Sequence, residues 1–306
     1  MTKHLIKLEG EAALGAKLSS ALLRDLLDVL VDATRQCIRL RAEGRSTAPG
    51  TDPEWLIRAA DFEVLGFEAG STEIVCEAAP LETVAPEAFR QRDMFDPVDT
   101  QQTGFALFEE ALAEVQRGRT DSDKYDDKVL ETLDGLKKVF RRGVRALSLG
   151  DGGSTRVERE DLERYSDLRR SIPSAERVRV SGVVDSLTAS RNGFVIQLND
   201  DSTVRGRFDD ELRDDFQALW GERAVIVGVA EFKPSGAVRH VEAERVSEAT
   251  ERDKLWSKMP RATQTEFRPA GFRKPTESKG GLAALVGNWP GDEDDETVNE
   301  ALRKLS

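Results

Sequence analysis

The segment of residues 177–247 constrains the fold most, because its strand and helix signals follow one another in a fixed order. Valines at period two predict a long first strand, which Gly182 interrupts. Residues 194–198 and 203–208 are β-rich and flank the turn at Asn199-Asp200-Asp201, so they predict a hairpin. The segment therefore opens with three strands.

A helix and two further strands follow this hairpin. Residues 209–220 predict a helix that an aspartate caps at its start, and residues 224–232 and 238–246 predict strands. Three strands, a helix and two strands is the element order of the oligonucleotide/oligosaccharide-binding (OB) barrel, although small SH3-like barrels also contain five strands. We therefore predict a small five-stranded, OB-like β-barrel over residues 173–249.

The preceding 172 residues mix helices and strands. The predicted elements are a strand at 4–9, a helix at 12–42, a hairpin around 68–70, helices at 105–116 and 125–140, and a strand at 144–149. The predicted fold class is therefore α+β. An N-terminal α+β domain at residues 1–172, whose role the sequence does not indicate, precedes the barrel.

Composition limits the classes of function. The chain has 306 residues, 33% of them charged, and a net charge of −12, which argues against coating nucleic acid by charge alone. It contains no apolar run of signal-peptide or membrane-spanning length. Its two cysteines, Cys37 and Cys76, lie in apolar settings and make a disulfide scaffold implausible. These features predict a cytoplasmic protein.

The sequence contains no complete catalytic or metal-binding motif. The two histidines, His4 and His240, stand in no ligand spacing, and His240 is most simply a surface or barrel residue. Residues 150–155 are glycine-rich but lack the ending of a phosphate-binding loop. Residues 121–132 depart from the EF-hand pattern at three positions. We therefore predict a protein that is not an enzyme and needs no metal or cofactor.

The barrel itself offers one candidate function, the binding of single-stranded nucleic acid. Such barrels stack bases on aromatic rings and follow the backbone with arginine or lysine. The candidate residues are Arg177, Arg179, Phe194, Arg205, Arg207 and Phe208. Nearby aspartates weaken the positive field, and alternating apolar and charged residues are also what any half-buried strand shows. This function is the alternative interpretation.

The last part of the chain has a different composition. Residues 250–281 are rich in Pro, Gly, Lys, Arg, Ser and Thr and predict a flexible linker. Residues 282–306 contain a short apolar turn, a tryptophan at position 289, a Pro-Gly turn, and a second helix with acids first and bases last. Two interpretations are open: the tail folds back on its own chain, or it docks in a groove of a protein partner.

The tail sequence Trp289-Pro290-Gly291-Asp292-Glu293, with the leucines that follow it, resembles the C-terminal tails of bacterial antitoxins encoded beside PIN-domain ribonuclease toxins. The resemblance covers less than a tenth of the chain. It implies a toxin–antitoxin system in which this tail holds a metal-dependent nuclease inactive. The predicted partner-binding residues are Leu282, Leu285, Val286, Trp289, Pro290, Gly291, Asp292, Val298, Leu302, Arg303 and Leu305.

The rest of the chain departs from that family. Its members place a short DNA-binding domain before the tail, whereas some 280 residues precede the tail here. Residues 1–247 show no helix-turn-helix or ribbon-helix-helix signature, so the sequence does not predict operator binding. The large body is expected to sense a trigger or to serve another function.

Overall fold

A computed structural model describes residues 1–13, 17–67, 72–89, 98–150, 153–188 and 192–262. Up to residue 172, the elements are β1 (Thr2–Gly10), α1 (Ser20–Glu43), α2 (Glu54–Ala60), β2 (Glu63–Phe67), β3 (Glu73–Ala78), α3 (Leu81–Val84), α4 (Gly104–Gln116), α5 (Asp127–Leu133), α6 (Leu136–Arg141), β4 (Val144–Leu149), β5 (Thr155–Glu158) and α7 (Asp161–Arg170). The barrel consists of β6 (Glu176–Thr188), β7 (Gly193–Gln197), β8 (Thr203–Phe208), α8 (Arg213–Ala218), β9 (Arg223–Phe232) and β10 (Val238–Glu248). Below, residues 1–172 are called the N-terminal part.

The N-terminal part is built on an antiparallel sheet with the strand order β2-β3-β1-β4-β5. The long helix α1 packs its apolar stripe into the main core, together with α4, α5 and α6. It begins where Ser19 accepts a hydrogen bond from the Leu22 amide, and it ends at Gly44, whose φ of 78° favours glycine. No helix among the described residues combines the length and apolar character that crossing a bilayer requires.

Two helices replace the single helix that the sequence predicts over residues 125–140. Asp126 caps α5 by accepting a hydrogen bond from the Val129 amide, and the chain then turns at Gly135 before α6 begins. A Cβ on Gly135 would lie 2.7 Å from the side chain of Val29, so this glycine lets the turn approach α1 closely. The prediction of one continuous helix was therefore wrong.

The five barrel strands close into a ring in the order β10-β8-β7-β6-β9. Only the β8–β10 pair of this ring is parallel, and α8 lies between the third and fourth strands in the chain. The predicted fold class, α+β with a five-stranded barrel, is confirmed. The first strand is continuous through Gly182, where a Cβ would lie 2.2 Å from the Gln197 carbonyl oxygen. Glycine there permits close strand packing rather than an interruption.

Three stacked phenylalanine rings fill one end of the barrel. Phe216 on α8 is fully buried, and its ring centroid lies 5.0 Å from that of Phe194 and 4.3 Å from that of Phe208. Gly206 gives these rings room, because a Cβ there would lie 2.2 Å from Phe194 Cζ. The helix predicted over residues 209–220 is shorter than expected: a 3₁₀ turn precedes α8.

Residues 250–262, which the sequence assigned to the linker, pack on the barrel. Thr250 and Asp253 form a capping box at the start of the 3₁₀ helix Glu251–Trp256. Met259 and Ala262 then pack against the barrel core. The barrel and the N-terminal part belong to one compact unit that ends at Thr263.

Candidate functional site

A cavity of about 540 Å³ lies between the N-terminal part and the barrel, and we call it the junction cavity. Strands β9 and β10 form one wall, the loop after α1 and the first residues of α5 form another, and residues 172–175 cover a third side. Four carboxylates, three cationic side chains and one imidazole line it. Its volume is within the range of small-molecule sites, and its polar lining indicates a polar ligand.

Arg239 on β10 is one of the residues that line the junction cavity. It is only 8% exposed, and its Nη2 donates hydrogen bonds to the backbone oxygens of Tyr125, at 2.5 Å, and Ser122, at 3.4 Å. Its Nη1 has no hydrogen-bond partner, and no carboxylate among the described residues lies within 4.0 Å of the guanidinium. A buried cation held only by neutral carbonyls is electrostatically uncompensated.

His240 lies next to Arg239 and is 5% exposed. Its Nε2 lies 3.5 Å from a Glu242 carboxylate oxygen, and its Nδ1 lies 3.8 Å from one of Glu231. Hydrogen bonding by the imidazole lowers the pKa of the Glu242 carboxyl. The ring is therefore held between two carboxylates by contacts that are long for hydrogen bonds.

The other charges at the mouth of the cavity already have partners. Asp126 caps α5, Asp127 pairs with Arg169 at 2.8 Å, and Lys128 pairs with Glu131 at 2.9 Å. Among the described side chains that line the cavity, Ser46, Arg239 and His240 each keep a buried polar atom without a hydrogen-bond partner.

Sequence patterns do not predict the burial of Arg239 and His240, because arginine is mostly exposed in folded proteins and histidine is intermediate. The ladder between β9 and β10 shifts register between Val238 and His240, at Arg239. Such a bulge breaks the alternation of sides, and residues 239–241 are buried in succession. His240 is thus a barrel residue, as the sequence predicted, but one that faces the N-terminal part.

The arginines predicted to bind nucleic acid do not act as one surface. Arg177 and Arg179 are exposed on β6, where Arg177 pairs with Glu244 at 2.7 Å and the Arg179 guanidinium lies 5.9 Å from the centre of the Trp256 ring. Arg207 instead donates to the backbone oxygen of Glu43 at 3.0 Å, at the end of α1. Arg205 is half-buried on β8. Arg207 therefore ties the barrel to the N-terminal part.

The two phenylalanines predicted to stack on bases are buried in the barrel. Phe194 and Phe208 pack against Phe216, as described above, and are closed to an external base. On β8 the side chains alternate, so Phe208 points inward where Arg205 and Arg207 point outward. The prediction that these rings form a stacking platform was therefore wrong.

A hydroxyl, an imidazole and a carboxylate form a chain of hydrogen bonds in the N-terminal part. The Thr103 hydroxyl lies 2.9 Å from His4 Nε2, and His4 Nδ1 lies 3.2 Å from a Glu109 oxygen. This arrangement has the order of a catalytic triad, but Thr103 is 1% exposed and its hydroxyl also caps α4. No substrate reaches it, so the chain of hydrogen bonds anchors β1 to α4.

The partner-binding residues predicted in the tail, from Leu282 to Leu305, lie outside the described residues. Among the residues that the structure does describe, no group of three or more histidine, cysteine, aspartate or glutamate side chains could hold a metal ion. No protein-family model, curated protein or solved structure matches the chain. Its function is therefore argued from its own residues.

Proposed function

We propose that this protein is an antitoxin-like inhibitor, which docks its C-terminal tail on a PIN-type ribonuclease and neutralises it. The observation that carries this proposal is the tail sequence itself. Trp289 followed by Pro290-Gly291-Asp292 joins a large apolar side chain to a turn and a helix start. Tryptophan is among the residues that most often dominate the binding energy of an interface.

The fold of residues 1–262 supports a tail that binds another protein. The barrel closes through five strands that all precede residue 249, so it needs no strand from the tail. Met259 and Ala262, near the end of the described chain, pack against its core. The barrel core is therefore complete without residues of the tail, which is compatible with a tail that binds a partner.

The charges of the tail fit the proposed target. Acidic residues 292–296 stand at the start of the second predicted helix, and Arg303 and Lys304 stand near its end, so both sets suit the helix dipole. The active site of a PIN-type nuclease is acidic, and a cation from the tail would compensate its carboxylates. Val298, Leu302 and Leu305 form one apolar stripe along the same helix. The proposed complex thus combines apolar anchoring with charge complementarity.

The first test is genomic and biochemical. The gene beside the one for this chain is expected to encode a small PIN-domain protein, and the full-length chain is expected to bind that protein and suppress its ribonuclease activity. Trp289→Ala should weaken binding by about 2 kcal/mol, roughly thirtyfold in dissociation constant, as loss of a hot spot does.

Trp220→Ala is the matched control, because Trp220 is 65% exposed on the barrel and lies outside the tail. Its affinity and inhibition should equal those of the wild-type protein. Equal affinity of Trp289→Ala and the wild type, measured by titration calorimetry, would refute the anchoring role of Trp289. A chain that binds the nuclease without inhibiting it would refute neutralisation.

We propose single-stranded nucleic-acid binding by the barrel as the second candidate. The observation that favours it is the exposed pair of Arg179 and Trp256, a cation and a ring side by side near Arg177. Aromatic rings and arginine planes stack on unpaired bases without sequence preference. Because Glu244 neutralises Arg177, the affinity should be modest and should fall steeply with salt.

The test is a fluorescence titration of a labelled oligothymidylate with the full-length chain at low salt. Trp256→Ala and Arg179→Ala should each weaken binding, whereas Arg170→Ala, an exposed arginine of α7, should leave it unchanged. Binding should survive removal of residues 282–306. Absence of binding at low salt, or an equal loss in all three variants, would reject this candidate.

A further inference from the structure

We propose that β2, the outermost strand of the N-terminal sheet, is a docking edge for an extended peptide segment of a protein partner in which cationic and apolar residues alternate. The segment would lie beside β2 and continue the sheet as an additional strand. The edge belongs to residues 1–172, so it works independently of the tail.

The outer edge of β2 is open. The sheet order β2-β3-β1-β4-β5 makes β2 a terminal strand, and β3 is its one partner among the strands that the structure describes. Three apolar side chains are exposed on it: Val64 is 40%, Leu65 is 50% and Phe67 is 36% exposed. An edge strand of this kind offers backbone hydrogen-bonding groups and apolar side chains together, and strand addition uses both.

The opposite edge of the same sheet is protected by charge. On β5, Arg156 donates hydrogen bonds to Glu9 at 2.8 Å and to Glu158 at 2.9 Å, and Val157 is fully buried. Charged side chains on an edge strand hinder the addition of another strand. Within the described part of the chain, no ion pair involves a residue of β2. Of the two edges, β2 is therefore the one that can accept a partner.

The register between β2 and β3 defines one side of the added strand. Val64 lies opposite Cys76 and Phe67 lies opposite Ile74, and both of these β3 residues are buried in the main core. Paired residues share a face of the sheet, so Val64 and Phe67 continue the core face past the buried strands. Apolar side chains of the partner would extend this face. Because successive side chains of a strand alternate, its other residues would lie on the opposite face.

The opposite face of β2 determines the charge of the partner. Glu63 is exposed and pairs in register with Glu77 of β3, so two like charges face each other across the strands. Neither carboxylate forms an ion pair with a described residue, although Lys3 lies opposite Glu77 on β1. Asp61, two residues before Glu63, is also exposed and adds negative potential. A cationic side chain beside Glu63 would offset this repulsion, because opposite charges on neighbouring strands stabilise their pairing.

A second copy of this chain fits the edge less well than a cationic peptide. Residues 61–67 contain no lysine or arginine, so pairing of β2 with itself would bring no cation to Glu63. The net charge of −12 also opposes the close approach of two copies. The bulge between Val64 and Gly66, with a φ of 148° at Gly66, limits the regular edge to a short stretch. A short segment of alternating cationic and apolar residues meets all three conditions.

The test is a fluorescence anisotropy titration of a labelled peptide, slightly longer than β2, with the full-length chain. Lysine and valine alternate in this peptide, and saturable binding is expected at low salt. The same peptide methylated on all its backbone nitrogens keeps its charge and side chains but cannot donate to the edge, so it should not bind. A peptide that alternates glutamate and valine should not bind either. Absence of saturable binding, or equal binding of the methylated peptide, would overturn the proposal.

Charge-reversed variants on the two edges locate the site. Glu63→Lys should weaken peptide binding about tenfold, because it replaces an attraction across the strands by a repulsion. Glu158→Lys is the matched control, since it makes the same change of charge on β5 and should bind like the wild type. Equal effects of the two variants would show that the peptide responds only to net charge, and would overturn the proposal.

Folding of the variants is checked by circular dichroism. Glu63→Lys removes the like-charge pair with Glu77, so its thermal midpoint should not fall. Val64→Thr, which keeps the shape of the side chain and makes it more polar, should also weaken binding, and it decides the question if Glu63→Lys does not fold. Wild-type affinity in Val64→Thr and Glu63→Lys together would overturn the proposal.

Light scattering of the unliganded chain separates a peptide partner from a second copy. The mass of a single chain is expected at the concentrations of the titration. A mass of two chains that Leu65→Lys returns to that of one would assign the edge to self-association and overturn the choice of partner.

Discussion

Substituting Phe208 by alanine separates the two roles that its ring could have. The residue is 6% exposed, and its ring stacks on that of Phe216 with 4.3 Å between centroids and 17° between planes. A ring in this position supports the barrel core and has no access to a base. Phe208→Ala should therefore reduce the stability of the barrel strongly.

The magnitude follows from the buried area. A phenylalanine side chain buries roughly 150–250 Å², which at about 25 cal/mol per Å² is worth about 4–6 kcal/mol. Alanine keeps the Cβ, and the remaining cavity adds a cost, so measured Phe→Ala losses in cores are about 3–5 kcal/mol. That loss is a large share of the roughly 5–15 kcal/mol that stabilises a domain.

The assay is urea unfolding of the full-length chain, followed by circular dichroism and by tryptophan fluorescence. With a slope of about 2 kcal/mol per M, the midpoint should fall by roughly 2 M in urea. Trp220 and Trp256 lie in or beside the barrel and report on its unfolding, and Trp55 on α2 adds a signal from the N-terminal part. The comparison with Trp220→Ala therefore uses the midpoints from circular dichroism. Probes that give different midpoints would show that the two parts unfold separately, and the barrel transition would then be used.

Trp220→Ala is the control, because it removes a larger aromatic side chain from the same barrel. Its ring is mostly exposed, and its one described contact is a hydrogen bond of 3.2 Å to the Asp185 backbone oxygen. The expected cost is about 1 kcal/mol or less. If Phe208→Ala cost no more than Trp220→Ala and yet weakened oligonucleotide binding, the ring would belong to a binding surface and the reasoning would be refuted.

Three further predictions concern the cores and one helix cap. Gly206→Ala should cost about 1–3 kcal/mol, because its Cβ would lie 2.2 Å from Phe194 Cζ; an unchanged thermal midpoint would contradict this close approach. Burial raises the pKa of the Cys76 thiol to about 11 and also raises that of Cys37, so a thiol reagent at pH 8 should label neither until denaturant is added. Labelling of the native protein at the rate of a free thiol would disprove that burial. Asp126→Ala should cost about 1 kcal/mol in urea unfolding through loss of the α5 cap, while Asp126→Asn, which keeps an acceptor, should stay near the wild type.

The order of the strand and helix patterns in residues 177–247 was sufficient to predict a five-stranded barrel. Alternation at period two and the turn at Asn199-Asp200-Asp201 are local signals, and they specify strands whatever the rest of the chain does. The hairpin of β2 and β3, and most of α1, were likewise readable from local patterns. Short elements with weak patterns, such as β5 and α7, were missed because tertiary packing rather than local preference stabilises them.

The same alternation shows which residues share a side of a strand, but not which side faces the core. Phe208 and the arginines beside it stand on opposite sides of β8. Only the closure of the barrel decided that the phenylalanine side chain faces the interior. Arg207 could be recognised as a contact to α1 only once both parts were folded. These are long-range facts, because the partners are more than 160 residues apart along the chain.

The sequence by itself thus determined the fold class, and it predicts a docking role for the tail, since both rest on patterns within a few dozen residues. The tertiary structure alone decided that Arg239 and His240 are buried together at a cavity. Their burial depends on a bulge in β10 and on packing against the N-terminal part, whose nearest contact, Tyr125, lies 114 residues earlier. No local pattern encodes such a contact, because burial of a polar side chain is a property of the surfaces that meet around it.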